Sequence, residues 1–468
     1  MNKYTGSMLV LILLMTGSCK IATNTKLPET AIAGHFRYAP TDDDTATFAA
    51  LHWDEFFTDA ALRRLIDTAL HNNYDMQIAL KNIEAAQVQF RQVKWNYTPV
   101  IAAQVTTSTN RPSDNSLNGI SLSQFLHTNH IEDYSAGLTL AWEADIWGKI
   151  RNQRKSALAA YLQTREARKL IQTNIVSGIA QGYYNLMMLD EQLLIARKNV
   201  TLTDSTLQMI RLQYNAGMVT ALAVEYAVSQ QLTAAALIPQ MEQNIALQEN
   251  ALSILSGVLP DTILRTSDQV TFPAKLNTGI PADLLRHRPD IKNQELALVI
   301  ARANTAINRA SLYPSLRITA AGGVNAFKAS SWFNIPASLF GTVAGSLAEP
   351  LLQHRELKTR YTISKIEQEK AVLVFRQTVL NAIGEVSDAL VRIEKLRTSY
   401  QVSSSRVKTL QAATSNANLL FRNGMADYLE VITAESNVLQ AELELAAIKR
   451  SEYSAMTDLY KALGGGWN

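Results

Sequence analysis

His127 and His130 are the side chains whose types and spacing most directly suggest metal binding. Imidazole nitrogens are common metal ligands. The two histidines lie, however, in a stretch rich in serine, asparagine and aspartate, which is typical of a solvated loop, and we expect no metal site there. The sequence also lacks a Gly-x-x-x-x-Gly-Lys-Ser/Thr loop, a His-Glu-x-x-His motif and a second cysteine. It therefore predicts no catalytic, cofactor-binding or metal site, and we do not expect an enzyme.

Cys19, the only cysteine of the sequence, follows a segment that is typical of an export signal. Lys3 precedes a short apolar run at 8–15, and small residues lead from there to the cysteine. A lone cysteine at this place resembles the lipobox of bacterial lipoproteins, although Thr16 stands where leucine is usual. We expect a lipoprotein signal peptide at 1–18 and acylation, including palmitate, at Cys19. The alternative is an ordinary signal peptide.

The charge balance argues against nucleic acid as a partner. The 468 residues include 44 Lys and Arg against 41 Asp and Glu, a formal net charge of +3. Nucleic-acid binding needs a basic surface that this balance does not supply. Beyond the N-terminal apolar run no segment predicts a transmembrane helix, so any passage through a membrane is expected to use strands.

Two long proline-free stretches, at 149–216 and 351–423, predict the helices around which the chain is organised. At 1.5 Å per residue, about 65 residues of helix would be roughly 100 Å long, which is too long for a compact domain. Gly217 and Gly424 are the expected stop residues, and a return helix is predicted after each. Shorter helices are predicted at 53–73, 76–96 and 284–311, and the first return helix, at 220–255, is expected to be interrupted at Pro239.

Four segments of about ten residues alternate apolar with polar or small side chains, and they predict strands: 101–108, 134–143, 316–325 and 339–348. This length and pattern suit a transmembrane barrel, with the apolar side facing lipid. Four strands cannot close a barrel, and an open edge is not viable in lipid. Three copies would give twelve strands. The alternative is a half-buried sheet in a soluble protein.

The order helix, strand, strand, long helix and return helix occurs twice, which indicates an internal duplication. Asp75 and Pro99 match Asp290 and Pro314 at an offset of 215 residues. A second set of identities has an offset of 207 and follows the long helices: Gly217, Met218, Leu222, Val224 and Leu232 match Gly424, Met425, Leu429, Val431 and Leu439. The expected divisions are a signal peptide at 1–18, a tether at 19–50, repeats at 51–257 and 282–463, a linker at 258–281, and a flexible tail at 464–468.

Three segments carry a resemblance to a known family: 286–291 continuing through 310–315, then 141–151, and 423–431. They resemble TolC-type outer-membrane efflux proteins, specifically the lipoprotein branch of OprM and CusC (NodT-like), and the resemblance covers nearly the whole mature chain. It implies a homotrimer with a twelve-stranded barrel in the outer membrane of a Gram-negative bacterium and a periplasmic α-helical barrel. The implied partners are a periplasmic adaptor (membrane fusion protein) and an inner-membrane pump of the RND type.

The resemblance also implies where functional residues lie. The turns after the long helices would form adaptor-facing tips, which contain Gly217, Met218, Gly424 and Met425. Glu430, with Asp427 beside it, matches acidic residues that ring the closed periplasmic pore in the family. Three such carboxylates close together would repel one another and bind cations. The alternative is that both acids only complement the dipole at a helix N-terminus.

The leading functional hypothesis is a passive, gated exit duct for drugs, toxic compounds or metal ions. The alternatives are the channel of a type I protein secretion system and, in a different class, a periplasmic coiled-coil scaffold without a pore. The repeat counterpart of Glu430 is Ala223, so the charge at the gate is expected to be weaker than in relatives. Gln353 and His354 stand where relatives often carry glycines, and no consequence follows from the sequence.

Overall fold

The structure is a computed structural model that describes residues 36–37, 51–266, 272, 281–349 and 355–467. Cys19, the expected signal peptide and the Gln353-His354 pair lie outside these residues. The described chain divides into two compact units. The strand unit contains 85–162 and 296–373, and the helical unit contains the described residues of 30–84, 163–295 and 374–468.

The described residues form ten α-helices and four strands. The helices are α1 (Trp53–Phe56), α2 (Ala60–Asn72), α3 (Tyr74–Lys94), α4 (Leu117–Ser121), α5 (Lys149–Asn215), α6 (Ala221–Leu255), α7 (Leu284–His287), α8 (Pro289–Ala310), α9 (Glu356–Arg422) and α10 (Tyr428–Ala462). The strands are β1 (Val100–Asn110), β2 (Ile131–Glu143), β3 (Ser315–Ala326) and β4 (Leu339–Ala348). Both long helices have 67 residues, and both return helices have 35.

The four strands form one antiparallel sheet in the order β1-β2-β3-β4. A single row of partners crosses it from Val105 through Ala136 and Val324 to Leu339. Since alternate residues share a face, this register places one continuous set of apolar or glycine residues on one side. That apolar face consists of Ile101, Ala103, Val105, Ala136, Leu138, Leu140, Trp142, Leu316, Ile318, Ala320, Gly322, Val324, Leu339, Gly341, Val343, Gly345 and Leu347. The opposite, polar face holds mainly small and polar side chains.

The register therefore confirms the predicted alternation of the strands. On the polar face, Gly137 of β2 pairs with Gly323 of β3. A Cβ atom added at Gly323 would lie 2.2 Å from the carbonyl oxygen of Ala136, so only glycine fits there. Within the described sheet, β1 and β4 each have one neighbour and one free edge.

Two of the shorter helices are divided where single helices were expected. The prediction of one helix at 53–73 is wrong because the chain leaves helical geometry after α1. Asp59 then caps α2, where its carboxylate accepts a hydrogen bond from the amide of Ala61 at 2.7 Å. The helix predicted at 284–311 is wrong because Pro289 forces Arg288 into an extended conformation, with ψ of 118°.

Two further expectations are wrong because the chain is helical where a break or a loop was expected. α6 continues through Pro239, so the expected interruption is absent. Proline has no backbone N–H, so the helix lacks one amide donor at Pro239 but does not end there. The polar segment between β1 and β2, expected as a loop, contains α4 and a π-helical turn at Leu122–Leu126.

Among the described helices, α6 is the one that is long and apolar enough to cross a membrane, contrary to the expectation that no later segment resembles a transmembrane helix. Its charged groups nevertheless contact other parts of the helical unit. Glu242 accepts from Arg197 of α5 at 2.9 Å, and Glu249 binds Arg265. These contacts favour a helix that packs beside α5.

The core of the helical unit is built from aromatic and aliphatic side chains of α1, α2, α10 and the two long helices. Phe56 stacks on Tyr460 with ring centroids 4.0 Å apart, and both are buried with Tyr183 and Val386. Arg288 lies within this region and is also buried. Its guanidinium donates to Asp290 at 2.6 Å, to Glu385 at 2.6 Å and to the carbonyl of Ala462.

The C-terminal glycines are packed, and the expected flexible tail is wrong. Gly464 and Gly465 are buried. Thr173 donates to the carbonyl of Gly465 at 3.2 Å, and the Trp467 indole donates to the carbonyl of His287 at 2.9 Å. A Cβ atom at Gly465 would lie 2.3 Å from the Tyr460 ring. The glycines are therefore present because side chains would not fit.

Candidate functional site

The turn that joins α5 to α6 is a tight, glycine-closed helix end. Gly217 has φ of 74°, a left-handed conformation that favours glycine. Its amide donates to the carbonyl of Tyr214, and the Met218 amide donates to the carbonyl of Gln213, both at 2.9 Å. These two bonds form the Schellman motif that satisfies the last carbonyls of a helix. The sequence expectation of a stop at Gly217 is confirmed.

The turn from α9 to α10 has the same construction. Gly424 has φ of 71°, and its amide donates to the carbonyl of Phe421 at 3.1 Å. The Met425 amide donates to the carbonyl of Leu420 at 2.9 Å. We call α5 with α6 the first hairpin and α9 with α10 the second hairpin. The methionine of each turn is exposed, by 68% at Met218 and 69% at Met425.

The two hairpins pack against each other near their turns through a small apolar cluster. Ile210 of α5, Ala223 of α6 and Val431 of α10 are fully buried in it, and Phe421 of α9 is 2% exposed. All four helices therefore contribute to one contact. The position of one turn depends on the position of the other.

Asp427 and Glu430 lie at the start of α10, and both are exposed. Asp427 is the N-cap residue, but its side chain makes no capping hydrogen bond. Both acids line a shallow groove of about 500 Å³, together with Leu410 and Thr433. The structure thus brings the two predicted gate acids together on one exposed rim, where their carboxylates are free to meet an ion, a partner or another copy of the chain.

The repeat counterpart of Glu430 has a different environment. Ala223 is fully buried in the apolar cluster, whereas Glu430 is exposed. α6 buries Ala223 and Ala227. The residues that α10 buries, Val431 and Glu435, each lie one position later in the repeat alignment. One residue is a rotation of about 100° on a helix. The charge at this exposed rim therefore comes from the second hairpin, because the first hairpin buries the matching residue, Ala223.

Glu435 is a residue that sequence reasoning missed. It is fully buried, and its Oε1 accepts from the Thr206 hydroxyl of α5 at 2.6 Å. Its Oε2 is also buried and accepts no well-formed hydrogen bond from the described residues. The sequence signal was available, since Glu435 falls between Val431 and Val438 at the spacing of one helix face.

Burial raises the pKa of the Glu435 carboxyl, although hydrogen bonding from Thr206 and Asn418 partly offsets the increase. Desolvation has this effect because it disfavours the charged form. The carboxyl therefore keeps its proton to a higher pH than an exposed glutamate does.

The histidine pair noted in the sequence occupies an exposed loop. His130 Nδ1 lies 2.9 Å from the side-chain oxygen of Asn129, and His127 has a left-handed φ of 50°. Among the described residues, no group of three or more His, Cys, Asp or Glu side chains is arranged to hold a metal ion.

Comparison with known proteins gives one family. A protein-family model described as "outer membrane efflux protein" matches residues 65–258 and again 280–465. The chain is 28% identical over 467 residues to the probable efflux pump outer membrane protein TtgC of Pseudomonas putida, covering 96% of this chain and 93% of that protein. It is 26% identical over 463 residues to the probable outer membrane lipoprotein SilC of Salmonella typhimurium, covering 97% of each.

The same comparison extends to solved structures. The chain matches the outer-membrane channel OprN with a TM-score of 0.87, covering 96% of this chain and 100% of that one. The sequence identity of this pair is 24%, so the match concerns the fold. A mostly helical chain with a small sheet is thus the fold of a known outer-membrane channel.

Proposed function

This chain belongs to the outer membrane efflux protein family, and from that membership we propose that it forms the outer-membrane channel of a tripartite efflux system. In this role it is a passive, gated exit duct. A periplasmic adaptor and an RND-type inner-membrane pump would deliver drugs, toxic compounds or metal ions to it. TtgC, a similar chain, is named for an efflux pump, which favours this function over type I protein secretion.

The continuous apolar face of the four-stranded sheet is the observation that carries the proposal. Val343 is 83% exposed, Leu347 is 68% exposed and Ile101 is 63% exposed. A soluble protein rarely leaves a contiguous apolar surface of this extent uncovered. Lipid covers such a face, and the polar face then lines an aqueous lumen. A periplasmic scaffold without a pore gives no reason for this separation.

The free edges of β1 and β4 indicate how the sheet is completed. Unpaired strand groups are costly in hydrocarbon, so the edge of β4 must pair with the β1 edge of another copy. Three copies would form the twelve-stranded barrel, and the long helices would continue as a periplasmic α-helical barrel. The order of elements occurs twice in the chain, and the family model matches it twice. Both observations support an internal duplication as the origin of the chain.

Specific residues have roles in this proposal. Glu430 and Asp427 form the periplasmic gate, where three copies would bring their carboxylates into a ring. The turns at Gly217 and Gly424 face the adaptor, and the exposed Met218 and Met425 supply apolar contact points. Acylation at Cys19, outside the described residues, would anchor the chain to the outer membrane. SilC, a similar chain, is named as a lipoprotein.

Membrane fractionation followed by gel electrophoresis without heating tests the proposal. We expect the protein in the outer-membrane fraction, migrating as a trimer when unheated and as a monomer after boiling. A sample that already migrates as a monomer without heating should show the same migration after boiling, which provides the internal control. Recovery as a soluble monomer would reject the trimeric barrel.

A further inference from the structure

Glu435 is the acidic side chain that connects the two hairpins inside their contact. It lies on α10, five residues after Glu430, and accepts a hydrogen bond from Thr206 on α5 at 2.6 Å. A fully buried carboxyl at a helix–helix contact requires either pairing or protonation. The first hairpin carries Val228 at the corresponding repeat position, so packing alone does not require an acid there.

Among the described residues, no cation acts on the Glu435 carboxyl. The Thr206 hydroxyl faces it from α5, and the Asn418 amide faces it from α9. Thr414, also on α9, is buried and donates to the carbonyl of Ala434 beside it. Of the groups described around this carboxyl, only polar uncharged side chains act on it. Its charge state is therefore set by burial and by these hydrogen bonds.

The two protonation states of Glu435 have opposite effects on the hairpin contact. A neutral carboxyl is compatible with a dry contact, whereas a buried carboxylate without a cation is strongly unfavourable. Because the pKa is raised in the packed state, packing binds the proton more tightly than the separated hairpins do. The contact is therefore most stable at low pH and weakens as pH rises through the raised pKa.

We propose that Glu435 is a proton-controlled latch, which holds α10 against α5 when neutral and releases the second hairpin at the turn when it ionises. This inference rests on the proposed channel function, because the released hairpin carries Glu430 and Asp427 at the gate. The latch acts through the position of the second hairpin and its turn, and Glu435 does not itself face the groove. A rise in pH thus favours the open turn.

The functional test measures conductance against pH in planar bilayers with the full-length protein. A background variant, Asp427→Asn with Glu430→Gln, replaces the two exposed carboxylates of the groove with amides. In this background we expect conductance to rise with pH, and Glu435→Gln to keep it low throughout, since glutamine retains the hydrogen bond but cannot ionise. Glu225→Gln, an exposed acid of the first hairpin, is the matched control and should leave the profile unchanged.

Thr206→Val separates a latch from a merely structural contact. The valine removes a hydrogen bond that favours the ionised form, so the midpoint of the pH profile should shift to a higher pH. A structural contact would instead weaken equally at every pH. A profile with an unchanged midpoint, or one that survives Glu435→Gln, overturns the latch while leaving the channel intact.

Infrared difference spectroscopy of the same proteins examines the latch without relying on conductance. Wild-type protein should show a buried protonated carboxyl band that disappears as pH rises, and Glu435→Gln should abolish this band. If no variant conducts but the band behaves as expected, the channel function fails and the protonation of Glu435 stands. If the band is absent from the wild type, the latch is rejected.

Discussion

Glu430 is an exposed carboxylate in the first turn of α10, on the groove that Asp427 also lines. Glu430→Ala is expected to raise single-channel conductance in planar bilayers, because it removes three side chains and their mutual charge from the narrowest part of the proposed gate. Glu225→Ala removes an exposed acid from the first hairpin and serves as the control, with conductance expected to stay the same. An intact trimer with unaltered conductance in both variants would contradict the gate assignment.

Arg288 shows how a single buried cation joins three parts of the helical unit. Burial disfavours its charge, but Asp290 and Glu385 outweigh that penalty and raise the pKa of Arg288, so it stays protonated. Arg288→Ala would leave Asp290 and Glu385 without their cation. We expect a loss of about 2–3 kcal/mol, below the usual range for a buried pair because Glu385 is half exposed.

The apparent unfolding temperature of the purified protein measures this loss. Arg392→Ala provides the comparison, since Arg392 pairs with Asp458 at 3.1 Å on an exposed surface. Such pairs contribute about 1 kcal/mol or less. Equal effects of the two substitutions would show that Arg288 has no special structural role.

At the scale of elements, the close contact of the C-terminal glycines with α10 is the feature most open to a stability test. Gly465→Ala would place a methyl group against the Tyr460 ring, and we expect a loss of roughly 1–3 kcal/mol from overpacking. Gly384→Ala is the matched control, because no neighbouring atom lies within 4 Å of a Cβ there. Within a helix that change should be neutral or stabilising by up to about 1 kcal/mol.

Thermal unfolding of both glycine variants decides between the alternatives. A lower unfolding temperature for Gly465→Ala alone confirms that the tail is a packed element. If the two variants unfold alike, the contact with Tyr460 does not contribute to stability.

The elements that the sequence predicted well have signals that are local in the chain. The ends of α5 and α9 are set by Gly217 and Gly424, and the four strands by alternation within about ten residues. The breaks near Asp59 and Arg288 were missed because apolar side chains recur on both sides of them, although Pro289 was a local signal of the second break. Glu435 was missed for a different reason. Its spacing from Val431 and Val438 placed it on an apolar helix face, but the burial of that face depends on contacts with α5 and α9, which are distant in sequence.

At the scale of the whole molecule, the two faces of the sheet predict opposite outcomes for neighbouring substitutions. Val343→Arg places a charge on the apolar face near the middle of β4, which is expected to cost about 2–4 kcal/mol against lipid. Thr342→Arg places the same side chain on the polar face one residue away and should be tolerated. The amount of heat-sensitive trimer in the outer membrane measures both. Similar yields from the two variants would mean that the apolar face does not contact lipid.

The exposed Met218 and Met425 have a consequence for cells under oxidative stress. Thioethers at such accessible positions are readily converted to sulfoxides, which are polar and chiral, and reductase enzymes reverse the change. If the turns dock onto an adaptor through apolar contact, oxidation would weaken that docking without a change in protein amount. The Schellman closures would survive, because their hydrogen bonds use only main-chain atoms. The redox history of the periplasm would then regulate assembly of the export machine at two sulfur atoms in each chain.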